Sequence, residues 1–304
     1  MLQLDRGATA AGFRTQLLQR LRNQALREGI PVLRFQQRIA FERFLVRLST
    51  TDQWVLKGGF ALQFRYGLLG RPTVDVDLRA SLPIDQAVAL LRRDIATTTV
   101  ADHFDFVFGP AAQALMDAPD GALRIKVTAR LAGSEFASFH LDISAGDVLV
   151  ERPTVLRGSD YLLFAGIPPI AFPVYPVVQH LAEKLHAYTL PRDQENTRVK
   201  DLLDMILLAT VECVAADALA AALIATFQTR ATHPIPNQLP EPPGSWTAAF
   251  AAMVGRTPLV SVNDLAAGYA LVAAFWNPML AGTVSGNIWT PPSRRWQGGQ
   301  GGSI

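Results

Sequence analysis

Trp54-Val55-Leu56-Lys57-Gly58-Gly59-Phe60-Ala61-Leu62-Gln63-Phe64-Arg65-Tyr66, followed after a glycine-flanked turn by Thr73-Val74-Asp75-Val76-Asp77-Leu78, decides the fold. The three apolar residues before Lys57 read as a short buried strand. Gly58 and Gly59 let the backbone turn tightly and approach a ligand where a side chain would collide. Phe60 to Tyr66 then reads as a two-turn helix, ended by Gly67 and Gly70. Its first N–H groups have no intrahelical acceptors and its dipole is positive at that end, so a triphosphate is well held beside the glycines.

Strand side chains alternate, so Asp75 and Asp77 share one face, about 6.6 Å apart at ~3.3 Å per residue. Two such carboxylates can share a divalent cation. Mg²⁺ takes oxygen ligands at ~2.0–2.1 Å and keeps positions open for phosphates, and two ions about 3.5–4 Å apart bracket an in-line displacement at phosphorus. A third carboxylate is then expected. Asp142, in Phe139-His140-Leu141-Asp142-Ile143-Ser144, alternates in the right phase to supply it. Alone, an Asp-x-Asp pair reads more readily as a solvated strand edge or turn. With a glycine turn upstream and a later strand aspartate, the combination points to nucleotidyl transfer.

The chain has 304 residues, 49% of them hydrophobic, enough for two packed lobes. Its formal charge of +2 is uninformative, but residues 1–50 hold nine arginines (Arg6, Arg14, Arg20, Arg22, Arg27, Arg34, Arg38, Arg43, Arg47) against Asp5, Glu28 and Glu42. A basic helical arm fits a nucleic-acid footprint and fits a solvated helix face equally well. A single cysteine, Cys213, excludes an intrachain disulfide, fits a reducing compartment and reads as core packing. No secretory signal is expected from an opening that carries Asp5 and Arg6. Prolines 168, 169, 173 and 176 break the longest apolar run, Tyr161 to Val178, so no membrane span is expected. The expected location is the cytoplasm.

Apolar spacing places two amphipathic helices over residues 12–50 and another over Leu82 to Asp94. Strands are expected at Phe104–Phe108, Leu123–Ala129 and Phe139–Ile143. From about Pro176 the pattern is helical, apart from a proline-dense loop over residues 234–244, and the glycine-rich tail after Ser285 reads as disordered. The expected class is α+β: residues 1–175 form a lobe with a mixed sheet flanked by helices, residues 176–284 a helical lobe, and residues 285–304 a tail.

A second polar cluster opens the helical lobe. Leu181, Leu185 and Tyr188 form a buried stripe with Lys184 beside it, placed to reach into a cleft. Asn196 or Thr197 can cap a following helix in which Asp201 and Asp204 share a face. Surface pairing of Lys200 with Asp204 is the plainer alternative. Of 28 basic residues only Lys57, Lys126, Lys184 and Lys200 are lysine, and all fall in or beside these segments. Lysine is a point charge able to follow a moving phosphate, whereas arginine imposes a planar fork.

Lys57-Gly58-Gly59-Phe60-Ala61-Leu62, Arg71-Pro72-Thr73-Val74-Asp75-Val76-Asp77-Leu78, Ala182-Glu183-Lys184-Leu185-His186-Ala187 and Arg198-Val199-Lys200-Asp201-Leu202-Leu203-Asp204 together resemble the motifs of the AbiEii/AbiGii toxin nucleotidyltransferases of the DNA polymerase β-like superfamily. The resemblance spans roughly residues 35 to 210. It implies a polymerase β-like first lobe and a toxin of a toxin–antitoxin or phage-defence operon, one that adds nucleotides to the 3′ end of tRNA and stops translation. It also implies an antitoxin partner, a nucleoside triphosphate substrate and Mg²⁺ or Mn²⁺. Lys57, Gly58 and Gly59 would hold phosphates, Asp75 and Asp77 would bind metal with Asp142 as third ligand, Lys184 would contact the triphosphate, and Asp201 with Asp204 would complete the site near the nucleotide. Many superfamily members carry Gly-Ser where this chain has Gly58-Gly59, so no serine hydroxyl assists here.

The alternatives are a transferase acting on a small molecule or a protein, a noncatalytic nucleotide-binding protein, and a metal-dependent hydrolase. Other chemistries find no motif. There is no Gly-Lys-Ser/Thr phosphate loop and no Gly-x-Ser-x-Gly elbow, and His103, His140, His180, His186 and His233 lack zinc-like spacing.

Overall fold

A computed structural model describes residues 9–109, 113–115 and 121–298. The chain divides into two units. The first comprises the described parts of Met1–Leu68, Pro72–Gly146 and Thr154–Val174, and the second those of Leu69–Arg71, Asp147–Pro153 and Tyr175–Ile304.

In the first unit, α1 (Ala10–Glu28) and α2 (Val32–Leu48) precede the strand–helix–strand β1 (Trp54–Lys57), α3 (Gly58–Tyr66) and β2 (Asp75–Ala80). Next come α4 (Ile84–Thr97), β3 (Phe104–Phe108), β4 (Gln113–Leu115), β5 (Ala122–Leu131), β6 (Ser134–Ser144), β7 (Thr154–Arg157) and β8 (Ala171–Val174). Thr9 caps α1, its hydroxyl accepting from the Gly12 N–H at 3.1 Å. The strands join in the order β3-β5-β6-β2-β1-β8-β7, with β4 also on β5. β2 runs parallel to β6 and β1 parallel to β8, so the sheet is mixed. Between β5 and β6, Ala132 and Gly133 both take positive φ, as a two-residue hairpin turn requires.

The sheet's buried face packs on α2 and α3. Phe41 meets Phe60 at 4.8 Å and Phe139 at 4.9 Å between ring centroids, in edge-on geometry that favours aromatic pairs. Val76, Leu78 and Ala80 of β2 are buried on that side, which turns Asp75, Asp77 and Arg79 to the other.

The basic arm is divided by this packing. Arg38, Arg43 and Arg47 lie inside the unit, where Arg43 and Arg47 grip the buried Asp102 at 2.6 and 2.7 Å and Arg38 binds Glu42 at 2.8 Å. They neutralise internal acids, so they leave the nucleic-acid footprint. Arg20, Arg22 and Arg27 of α1 remain exposed.

The second unit holds α5 (Val177–Thr189), α6 (Val199–Val211), α7 (Ala216–Arg230), α8 (Thr247–Val254) and α9 (Leu265–Leu280), with β9 (Val214–Ala215), β10 (Asn287–Thr290) and β11 (Arg295–Gly298). The expected disorder after Ser285 is corrected for residues 287–298. They form an antiparallel hairpin whose Trp289 is fully buried and donates from Nε1 to the Ala209 carbonyl at 2.8 Å. Burying one indole outweighs the low complexity around it. Residues 299–304 of that expected tail lie outside the described residues. Cys213 is also corrected, since it sits exposed between α6 and β9. The proline-dense loop is pinned by Tyr188 and Tyr269, whose hydroxyls donate to the Pro240 and Leu239 carbonyls at 2.8 and 2.9 Å. Among the described residues no helix is long and apolar enough to cross a membrane.

One buried group gives this unit a pH dependence. His186 lies against Phe227 and His233, with Nε2 2.8 Å from the Thr232 hydroxyl. Burial first, then the charges of Arg230 and His233, push its pKa down to about 3 against the pull of Asp147. Unfolded histidine takes its proton near pH 6.5, so stability is complete above that value and falls as pH drops toward 3, by at most ~1.4 kcal/mol per unit. Urea unfolding between pH 7 and 5 is expected to show a shallower decline in His186→Gln than in wild type. Parallel curves would remove His186 as the cause.

Candidate active site

The turn from β1 into α3 sets the geometry. Lys57 is extended, Gly58 has φ of +66°, and α3 begins at once. Across the antiparallel pair, Lys57 faces Asp77. A Cβ on Gly58 would stand 2.0 Å from Asp77 Oδ2 and 2.9 Å from Asp77 Cβ. The missing side chain at position 58 is therefore the space the Asp77 carboxylate occupies, at the N-terminal end of α3. Gly58→Ala is expected to force that carboxylate aside and to cost about 1–2 kcal/mol from the left-handed backbone alone. Equilibrium unfolding checks the cost and a crystal structure checks the displacement; a variant as stable as wild type would show that the turn relaxes.

Parallel pairing of β2 with β6 places Asp75 opposite His140 and Asp77 opposite Asp142. Antiparallel pairing of β6 with β5 places Asp142 opposite Arg124 and His140 opposite Lys126. Two polar rows thus cross the open face, Lys57-Asp77-Asp142-Arg124 and Asp75-His140-Lys126. Asp75 Oδ1 lies 3.3 Å from His140 Nδ1. Asp142 is taken by Arg124 through a two-pronged contact, Nε to Oδ1 at 2.8 Å and Nη2 to Oδ2 at 2.6 Å.

Asp75, Asp77 and Asp142 are therefore brought together, but as neighbours on a sheet and not as a three-carboxylate cage. Among the described residues no group of three or more His, Cys, Asp or Glu is placed to hold a metal ion. The expectation of Asp142 as a third ligand meets the Arg124 fork. Asp75 and Asp77 are two half-buried carboxylates on one strand face, with His140 and Lys57 as cross-strand neighbours, and could hold a single hard cation beside a helix N-terminus where phosphate oxygens would complete the coordination. Carboxylates and polyphosphate are both anionic, so any polyphosphate held in this corner would need a cation between them.

Lys184, Asp201 and Asp204 converge within the second unit. Lys184 Nζ lies 2.7 Å from Asp201 Oδ1 and 2.8 Å from Asp204 Oδ2, and Arg71 grips Asp204 from Nε and Nη2 at 2.7 and 2.9 Å. The alternative pairing of Asp204 with Lys200 does not occur, because Asp204 is fully buried. Burial alone would lower the Lys184 pKa, but the Asp201 and Asp204 charges outweigh it and hold the ammonium above the ordinary lysine value. Burial likewise opposes ionised Asp204, and Arg71 with Lys184 hold it well below the usual carboxylate range. Lys184 is thus already matched by two carboxylates, and a phosphate contact would compete with both. Local sequence assigns Arg71 no role; its contact with a helix more than a hundred residues later supplies one.

Comparison with known proteins finds a family and several similar structures. The family described as "Nucleotidyl transferase AbiEii toxin, Type IV TA system" matches residues 39–271. No curated protein matches the chain. Among solved structures, MenT4, a nucleotidyltransferase toxin from Mycobacterium tuberculosis H37Rv, is 19% identical with a TM-score of 0.50, over 91% of this chain and 99% of that one. JHP933 from Helicobacter pylori is 17% identical with a TM-score of 0.39, over 64% of this chain and 78% of that one. The antibiotic-resistance factor ANT(2'')-Ia is 13% identical with a TM-score of 0.33, over 65% of this chain and 94% of that one.

Proposed function

Because this chain belongs to the AbiEii family of nucleotidyl transferase toxins of type IV toxin–antitoxin systems, we propose that it transfers a nucleoside monophosphate from a nucleoside triphosphate to an RNA, the 3′ end of tRNA, and so blocks translation. One observation carries this: Asp75 and Asp77 lie on the open face of the sheet, with Asp77 fitted against the glycine that begins α3.

The triphosphate would lie at the first turn of α3, where backbone N–H groups receive its oxygens and Lys57 stands nearby. A bound Mg²⁺ or Mn²⁺ on Asp75 and Asp77 would neutralise charge on the transferred group and the departing pyrophosphate. The chain's own part is positional. The strand keeps both carboxylates on one side, the Gly58 turn keeps the helix end within reach of Asp77, and the buried face anchors β2 against α2 and α3. The acceptor hydroxyl would form its bond to the α-phosphorus as the bond to pyrophosphate breaks, its proton passing to solvent water.

A cognate antitoxin follows from the family. A cytoplasmic site of action and a role in phage defence fit the same reading, since triphosphates and tRNA are found there. Neutralising Arg20, Arg22 and Arg27 together should cripple an RNA acceptor reaction and spare one on a small molecule or protein. The decisive experiment incubates purified protein with each labelled nucleoside triphosphate, Mg²⁺ and total RNA, then sizes the labelled product. Label at tRNA length is expected. Label on protein or small molecules would move the acceptor, and bound nucleotide with no transfer would leave a binding protein.

A further inference from the structure

Arg124 was not singled out by any motif, yet it occupies the position that most constrains the metal chemistry. Strand register places it, Asp142 and Asp77 side by side across β5, β6 and β2. Its guanidinium takes both oxygens of Asp142 in parallel bonds of 2.8 and 2.6 Å, the strongest form of arginine–carboxylate contact. Asp142 is largely shielded, its side chain 16% exposed, while that of Arg124 is 39% exposed and borders solvent. The fork is held charged above the ordinary arginine value, first by the hydrogen bond to Asp142 and then, against burial, by the charges of Asp142, Asp75 and Asp77. A divalent cation drawing on Asp142 would meet this guanidinium within a few ångströms, and like charges at that distance repel strongly. Arginine does not deprotonate to relieve that repulsion.

Resting on the transferase reading above, we propose that Arg124 holds Asp142 out of the metal site, so that the chain loads one divalent cation on Asp75 and Asp77 and keeps the guanidinium as its second positive charge. Arg124 is a positioning residue: it acts through Asp142. Asp142, though it lies opposite Asp77, contributes to the charge of the face and not to the coordination of the ion.

The test is titration of the full chain with Mn²⁺ alone, with bound ion counted by electron paramagnetic resonance. Wild type is expected to bind one Mn²⁺ per chain. Asp75→Asn and Asp77→Asn should each weaken binding about tenfold or more, on the scale of losing a metal-site group, while Asp142→Asn changes it less than about twofold. Arg124→Met frees Asp142 and should admit a second ion, seen as a spin-coupled signal. Two ions on wild type, or a loss in Asp142→Asn matching that in Asp77→Asn, overturns the proposal. So does an unchanged single ion in a folded Arg124→Met protein. A chain that transfers labelled nucleotide but fails these counts loses only this inference; one that transfers none, with any RNA or triphosphate, loses the function itself.

Discussion

Asp204→Asn is expected to destabilise the second unit by about 3–5 kcal/mol, the usual cost of removing one partner from a buried ion pair. Asp204 is fully buried and answers two cations at once, Arg71 through both carboxylate oxygens and Lys184 at 2.8 Å. The amide fills the same space but keeps one acceptor oxygen only, its NH₂ facing the Arg71 and Lys184 donors. It lacks the charge, so Arg71 and Lys184 lose the carboxylate that offsets their burial. In a unit of this size the loss corresponds to a melting midpoint lower by on the order of 10 °C. Calorimetry on wild type and variant measures it directly; a change below ~1 kcal/mol would show that water reaches these charges. The consequence for chemistry is equally concrete. A variant at Lys184 that lowers activity must be checked for folding first, because its ammonium braces α5 against α6.

Asp77→Ala is expected to lose at least about 10³-fold in nucleotide transfer, several kcal/mol of transition-state stabilisation at tenfold per 1.4 kcal/mol. Its fold should survive. Asp77 is half-buried on the open face of the sheet and not part of the packed core, so its loss leaves no cavity there. β2 remains anchored by the buried Val76, Leu78 and Ala80. Transfer of labelled nucleotide and urea unfolding are measured on the same preparation. Wild-type turnover by a folded Asp77→Ala protein would refute the assignment of the site.

Much of the first unit could be read from local signals. Alternation marked Phe104–Phe108 as a strand at its observed limits, and the glycines after Lys57 marked the start of α3. β7 and β8 went unseen, since two four-residue strands among prolines carry too little pattern to register. Local sequence marks Gly58 as a backbone cradle for phosphate. Its tightest contact is with Asp77, nineteen residues on, which local spacing could not reveal. The nine arginines read as one basic arm, yet three turn inward because Asp102 and Glu42 wait inside the unit.

Residue order alone established the strand–turn–helix–strand unit and the shared face of Asp75 and Asp77, because both follow from backbone periodicity over a few residues. Tertiary structure decided which charges are free to work. The register of β6 between β2 and β5 set Asp142 against Arg124, and the packing of α5 on α6 set Lys184 against Asp201 and Asp204. Charge–charge energy depends on distance and on exclusion of water, and neither is written in sequence spacing when the partners lie on separate elements.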